Sequence, residues 1–162
     1  MSRLGMLYAL EEDEVQKLCK VPSEERYDYM LEEIEEALFG SVRSCELDKA
    51  WEGIQYCLGN GVWCEDNSVP TNIIFGGEIL TETEDEIITL KSYEDVGEIV
   101  AYLRQNPLQE LIEKNFWQIQ DEDFPYKNDE GLEHTLGWCE GILEFYENAL
   151  KEKLQVIFTV DF

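Results

Sequence analysis

Both ends of the chain carry an apolar, β-prone segment, and most of what lies between them has helical periodicity. Met1 to Leu10 closes on LGMLYAL, where Gly5 would weaken a helix, and LQVIFTV near the C-terminus is rich in β-branched and aromatic residues. Chain ends fray unless something holds them. Pairing the first strand with the last holds both, and a helix laid over the pair buries its apolar face. The prediction is an α+β fold: a helix-rich single domain over residues 1–162, whose small sheet contains both terminal strands under a long C-terminal helix. The length of 162 residues fits one domain, and 44% hydrophobic residues can fill its core.

The helices follow from spacing and punctuation. Acidic residues 11 to 14 open a short helix ending near Cys19, and Pro22 and Ser23 interrupt it. Glu24 to Phe39 carries Tyr27, Met30, Leu31, Ile34 and Leu38 at helical spacing and stops at Gly40. Leu47 to Leu58 is predicted as the next helix, with Leu47, Trp51, Ile54 and Leu58 on one face and Gly59 or Gly61 supplying a positive φ at its end. Residues 59 to 72 are expected to be loop. NIIFGGEIL and IITL, on either side of TETEDE, suggest short strands around an acidic turn. Ser92 and Asp95 form a capping-box signal before Val96, Ile99, Val100 and Leu103. Pro107 suits the first turn of a helix through Leu108, Leu111, Ile112 and Phe116. Asp129 to Lys153 is expected to be the longest helix. Its Gly137 and Gly141, one turn apart, suggest a bare stripe for close backbone approach.

Charge then limits the partners. Twelve basic residues against 37 acidic ones give a net charge of −25, so a nucleic-acid backbone or an anionic bilayer is repelled. The partner this favours is a basic protein, met by an acidic face; the plainer alternative is a surface that is merely soluble and self-repelling. Cys19, Cys45, Cys57, Cys64 and Cys139 form an odd set with no CxxC, which argues against disulfides and zinc and for a reducing cytoplasm. LGMLYAL runs straight into EEDE, unlike a signal peptide, and no apolar run approaches the roughly 20 residues of a membrane span.

The order of these segments matters more than any one of them. LGMLYAL, LDKAWEGIQYCLGNG, NIIFGGEI, a Tyr-x-x-x-Val helix, and FPY before a helix ending FYENALKEKLQVIF together resemble the YfbM-like bacterial family, a domain of unknown function. Asp48, Lys49 and Trp51 before a glycine-ended helix are the most specific element, and Gly76 and Gly77 the second. The resemblance covers the whole chain and implies a small cytoplasmic α+β protein without an assigned activity. It also implies histidines one and four residues after the tryptophan, where this chain has Glu52 and Gln55. A glutamine hydrogen-bonds but exchanges no proton near neutral pH, so a role for such histidines does not transfer.

Catalytic signatures are sparse. His134 is the sole histidine, which excludes a two-histidine metal face, and no G-x-S-x-G elbow accompanies it. Gly59-Asn60-Gly61 lacks the third glycine of a dinucleotide loop, and Gly76-Gly77 lacks the lysine of a phosphate loop. Asp121-x-Asp123 begins like a calcium loop, but Pro125 and Tyr126 occupy the next ligand and the turn glycine. No catalytic residue, metal site or cofactor is expected. The residues singled out for ligand or partner contact are Asp48, Trp51, Gln55, Gly76 and Gly77 about one pocket, Trp63 in a glycine-rich loop, and His134 and Trp138 on the long helix. The plainer expectation places Trp51 and Trp138 in the core, His134 half-exposed, and the glycine pair in a tight turn. The preferred function is a non-enzymatic binding module of the inhibitor or immunity type; the alternative is an enzyme or small-ligand binder using the Asp48 pocket.

Overall fold

In the computed structural model, which describes residues 4–120, 122 and 124–162, the N-terminal apolar run forms β1 (Gly5–Leu10). All six residues of β1 are buried, so the strand requires cover on both faces. Leu7 and Ala9 enter one core, while Met6, Tyr8 and Leu10 enter another, as a two-residue period dictates. The chain continues through α1 (Glu12–Lys20), α2 (Arg26–Tyr29), a π-helical turn (Met30–Glu35), α3 (Glu36–Leu38) and β2 (Ser44–Asp48). After α4 (Ala50–Leu58) and a long loop come the hairpin β3 (Glu78–Glu82) and β4 (Glu86–Lys91), then α5 (Tyr93–Gln105) and α6 (Leu108–Asn115). α7 (Asp129–Cys139), α8 (Ile142–Lys151) and β5 (Gln155–Asp161) complete the chain.

The strands form one antiparallel sheet in the order β2-β1-β5-β4-β3. The terminal strands pair directly, from Met6 opposite Thr159 to Leu10 opposite Gln155, and so occupy the middle of the sheet. This is the α+β arrangement expected from the two apolar ends. α4 to α8 supply the larger core on one face, and α1, α3 and the π-helical turn supply a smaller one on the other. At the start of α5, the Asp95 amide donates to Ser92 Oγ at 3.1 Å and the Ser92 amide to Asp95 Oδ2 at 3.0 Å, completing the predicted capping box.

Several elements differ in detail from expectation. Leu47 belongs to β2, not to a helix: β2 pairs with β1 on either side of it, through Glu46 and Asp48, Leu47 itself lies buried at the bulge between them, and Asp48 then turns the chain with a φ of 50°. Ile73 and Ile74 form no strand; they are fully buried plugs in a turn ahead of β3. The long C-terminal helix is interrupted between Cys139 and Ile142. A Cβ at Gly137 or Gly141 would meet nothing within 4 Å, so neither glycine serves close backbone approach. The π-helical turn interrupts the helix expected over residues 24–39 and carries Leu31 off the apolar face, leaving it 42% exposed. Met1 to Arg3 of the first predicted strand, and Asp121 and Asp123 of the acidic cluster, lie outside the described residues. All five cysteines are free thiols. Among the described residues no helix is long and apolar enough to cross a membrane.

Candidate functional site

Of the eight residues singled out in the sequence, the fold brings Asp48 and His134 together at the surface, buries Trp51 and Gln55, and leaves Trp63, Gly76, Gly77 and Trp138 half-buried. Asp48 lies at the end of β2 in a left-handed conformation unusual for a side chain, and its Oδ1 accepts from the Lys49 amide at 2.7 Å. His134, on the second turn of α7, places Nε2 3.8 Å from Asp48 Oδ1. That separation is an ion pair when the imidazole is protonated and exceeds a hydrogen bond. His134, but not Asp48, lines a cleft of about 360 Å³ walled also by Lys49, Ala50, Gly53, Tyr126 and Thr135. The Thr135 hydroxyl already donates to the Gly131 carbonyl at 2.8 Å, so it is not poised as a nucleophile.

Gln55 is fully buried and staples the loop after α4. Its Nε2 donates to the carbonyls of Cys64 at 3.1 Å and Thr71 at 3.3 Å, and its Oε1 accepts from the Phe75 amide at 3.2 Å. Trp51 is core: its ring stacks on Phe75 at 6.1 Å and meets Phe158 at 5.7 Å. Trp63, half-buried, joins that cluster edge-on to Phe75 at 5.2 Å. Gly77 has a φ of 120°, and a Cβ there would collide with the Leu90 carbonyl, so the glycine pair makes a tight entry into β3. Trp138 is half-buried, 6.3 Å from the His134 ring.

A second depression lies across the sheet, among residues the sequence did not mark. Tyr8 of β1, Glu46 of β2 and Asp161 of β5 share one face and line a groove of about 320 Å³ with Tyr27, Glu35 and Phe39. The Leu4 amide donates to Asp161 Oδ1 at 3.4 Å at one end. Burial raises the Tyr8 hydroxyl above its ordinary range, and the nearby charge of the Glu35 carboxylate raises it further. Burial likewise raises Tyr27, followed by the charges of Asp161 and Glu35. The available signal was a tyrosine within an otherwise aliphatic strand. Pattern reading assigns it to the core, and indeed Tyr8 is only 2% exposed.

Lys91, at the end of β4, was also unmarked. It is fully buried, donates to Thr89 Oγ1 at 2.8 Å and to the Ile74 carbonyl, and lies 5.3 Å over the Phe158 ring. Burial pushes its amine well below the ordinary range. Among the described residues no cluster of three or more His, Cys, Asp or Glu is placed to hold a metal ion.

Comparison with known proteins bears on the fold. A family model, Domain of unknown function (DUF1877), matches residues 1–159. The chain is similar in structure to the protein of unknown function YfbM from Escherichia coli, with a TM-score of 0.65 and 15% sequence identity, over 97% of this chain and 99% of that one. At that identity the likeness is one of fold alone. No curated protein matches the chain.

Proposed function

Because the chain belongs to the DUF1877 family of YfbM-like domains, which brings a fold without an activity, we propose from its surface that it is a binding module whose acidic face recognises a basic polypeptide. One observation carries this: in the layer formed by α1 to α3, arginines turn inward while carboxylates stay outside. Arg26 donates to the carbonyls of Val21 and Cys19, each at 3.0 Å, and to that of Leu80. Arg43 donates to the Ala9 carbonyl at 2.9 Å and pairs with Glu14. Glu24, Glu25, Asp28, Glu32, Glu33 and Glu36 remain exposed. Arg43 is matched by Glu14, and Arg26 with the exposed Lys17 and Lys20 of this layer still leaves carboxylates in excess on its outer side. Against a cationic surface such a field accelerates encounter and fades with salt, its reach falling from about 30 Å at 0.01 M to about 8 Å near physiological strength.

The experiment is association kinetics with an arginine- and glycine-containing decapeptide across a salt series. Two triple variants separate a recognising face from bulk charge: Glu25→Gln, Glu32→Gln, Glu33→Gln on this layer, and Glu110→Gln, Glu113→Gln, Glu144→Gln on the other side. The first should slow association several-fold more than the second, and salt should slow the wild type while changing dissociation less. Equal slowing by both triples, or a rate indifferent to salt, overturns the proposal. A second reading, a small-ligand site, draws on the cleft lined by Lys49, Tyr126, Asn128, Glu130 and His134.

A further inference from the structure

We propose that the groove across the sheet is the socket for one arginine side chain of such a polypeptide, held over buried Tyr8 by the rings of Tyr27 and Phe39 and the carboxylates of Glu35, Glu46 and Asp161; this rests on the acidic-face reading. The groove is a preformed cleft between the sheet and the π-helical turn, of about 320 Å³, at the lower end of the range for drug-sized ligands. Turns of this rare type are frequently found at functional sites. Here it forms one wall, through Met30, Leu31 and Glu35.

Both the lining and the rim suit a guanidinium. Among the described lining residues none is cationic, whereas three are carboxylates and three are aromatic. Charges from Glu35 and Asp161 reach the Tyr8 and Tyr27 hydroxyls and, together with burial, hold them protonated, so a positive group entering there meets a favourable potential. At the rim Leu31 is 42% and Phe39 55% exposed, apolar surface that a polypeptide covers as its side chain enters. Arginine fits better than lysine, because its planar, weakly hydrated head stacks on rings while bonding carboxylates two at a time. A hard metal ion wants a shell of oxygens, and Met6, Met30 and Leu31 in the lining withhold it.

The test is titration calorimetry with the same arginine–glycine decapeptide and its citrulline counterpart, which keeps the shape and removes the charge. Wild-type protein should prefer arginine at least tenfold. Phe39→Ala, an exposed site whose change spares the fold, and Glu35→Gln, confirmed folded by its melting temperature, should each weaken the arginine peptide about tenfold or more and shrink the preference. The triple variant Glu25→Gln, Glu32→Gln, Glu33→Gln should slow association yet retain the preference. If both groove variants bind as the wild type does while the triple loses binding, the socket is overturned and the acidic face stands. If the wild type binds neither peptide, both fall. A dimer in solution that dissociates on Phe39→Ala would assign the groove to a second copy and also overturn the proposal.

Discussion

The same central strands serve two unlike faces of the sheet. On one, α4 to α8 close a deep core in which Trp51, Phe75 and Phe158 pack ring on ring. On the other, α1, α3 and the π-helical turn cover a shallower core and leave the groove open beside Tyr8. The difference follows from how much apolar side chain each layer carries. A layer of five helices fills the space against the sheet; a short segment bearing Met30, Ile34 and Leu38 fills only part of it. The deep face therefore concentrates stability, and the shallow face leaves Phe39 and Glu46 exposed beside the groove.

The comparison breaks most readily at Trp51. Trp51→Ala should cost about 3–5 kcal/mol, since it removes a large side chain from a packed aromatic cluster. Phe39→Ala on the shallow face should change stability by about 0.5 kcal/mol or less while impairing peptide binding. Urea unfolding of both variants checks this, and similar losses at the two sites would mean that the faces share stability evenly.

A smaller effect separates the faces by pH. Lys91 on the deep face has a depressed amine, against an ordinary value of 10.5. Between its folded value and 10.5 the unfolded chain binds the extra proton, so stability rises with pH, by at most about 1.4 kcal/mol per pH unit. The rise should show below pH 9, before the cysteines titrate. Above pH 9 the sign reverses, because burial pushes Cys45 and Cys57 from 9.0 to about 12 and folding then resists their deprotonation. Lys91→Met should flatten the rise and keep the fall. Denaturant midpoints from pH 7 to 11 measure both limbs, and an unchanged rise in the variant would assign it elsewhere.

The smallest expected effect concerns the outer surface of the deep face. At Gly137 an added Cβ meets open space, within a helix where glycine is unfavourable. Gly137→Ala should stabilise by about 0.5–1 kcal/mol, raising the melting temperature by about 2–4 °C. A loss instead would show that the break after Cys139 depends on this glycine.

Much of the fold was legible in the residues alone. β1 and β5, the capping box at Ser92 and the helices around Val96 and Ile112 follow from spacing, because local periodicity and end chemistry act within a few residues. So did the family, from the order of segments such as DKAW and IIFGG. Leu47 was misplaced because its helical spacing with Trp51 is genuine while the pairing of its neighbours Glu46 and Asp48 with β1 is remote in sequence. The inward destination of Gln55 and Lys91 depends on loop carbonyls of Cys64, Thr71 and Ile74 that no local pattern announces. The groove, likewise, joins Tyr8, Glu35, Glu46 and Asp161 from four separate segments. Sequence by itself determined that both ends are strands, that most of the chain between them is helical, and how negative its charge is, since these depend on residue type and short-range spacing. Tertiary structure alone decided which carboxylates converge beside a tyrosine and which arginines turn inward, because burial and long-range proximity set those fields and hydrogen bonds.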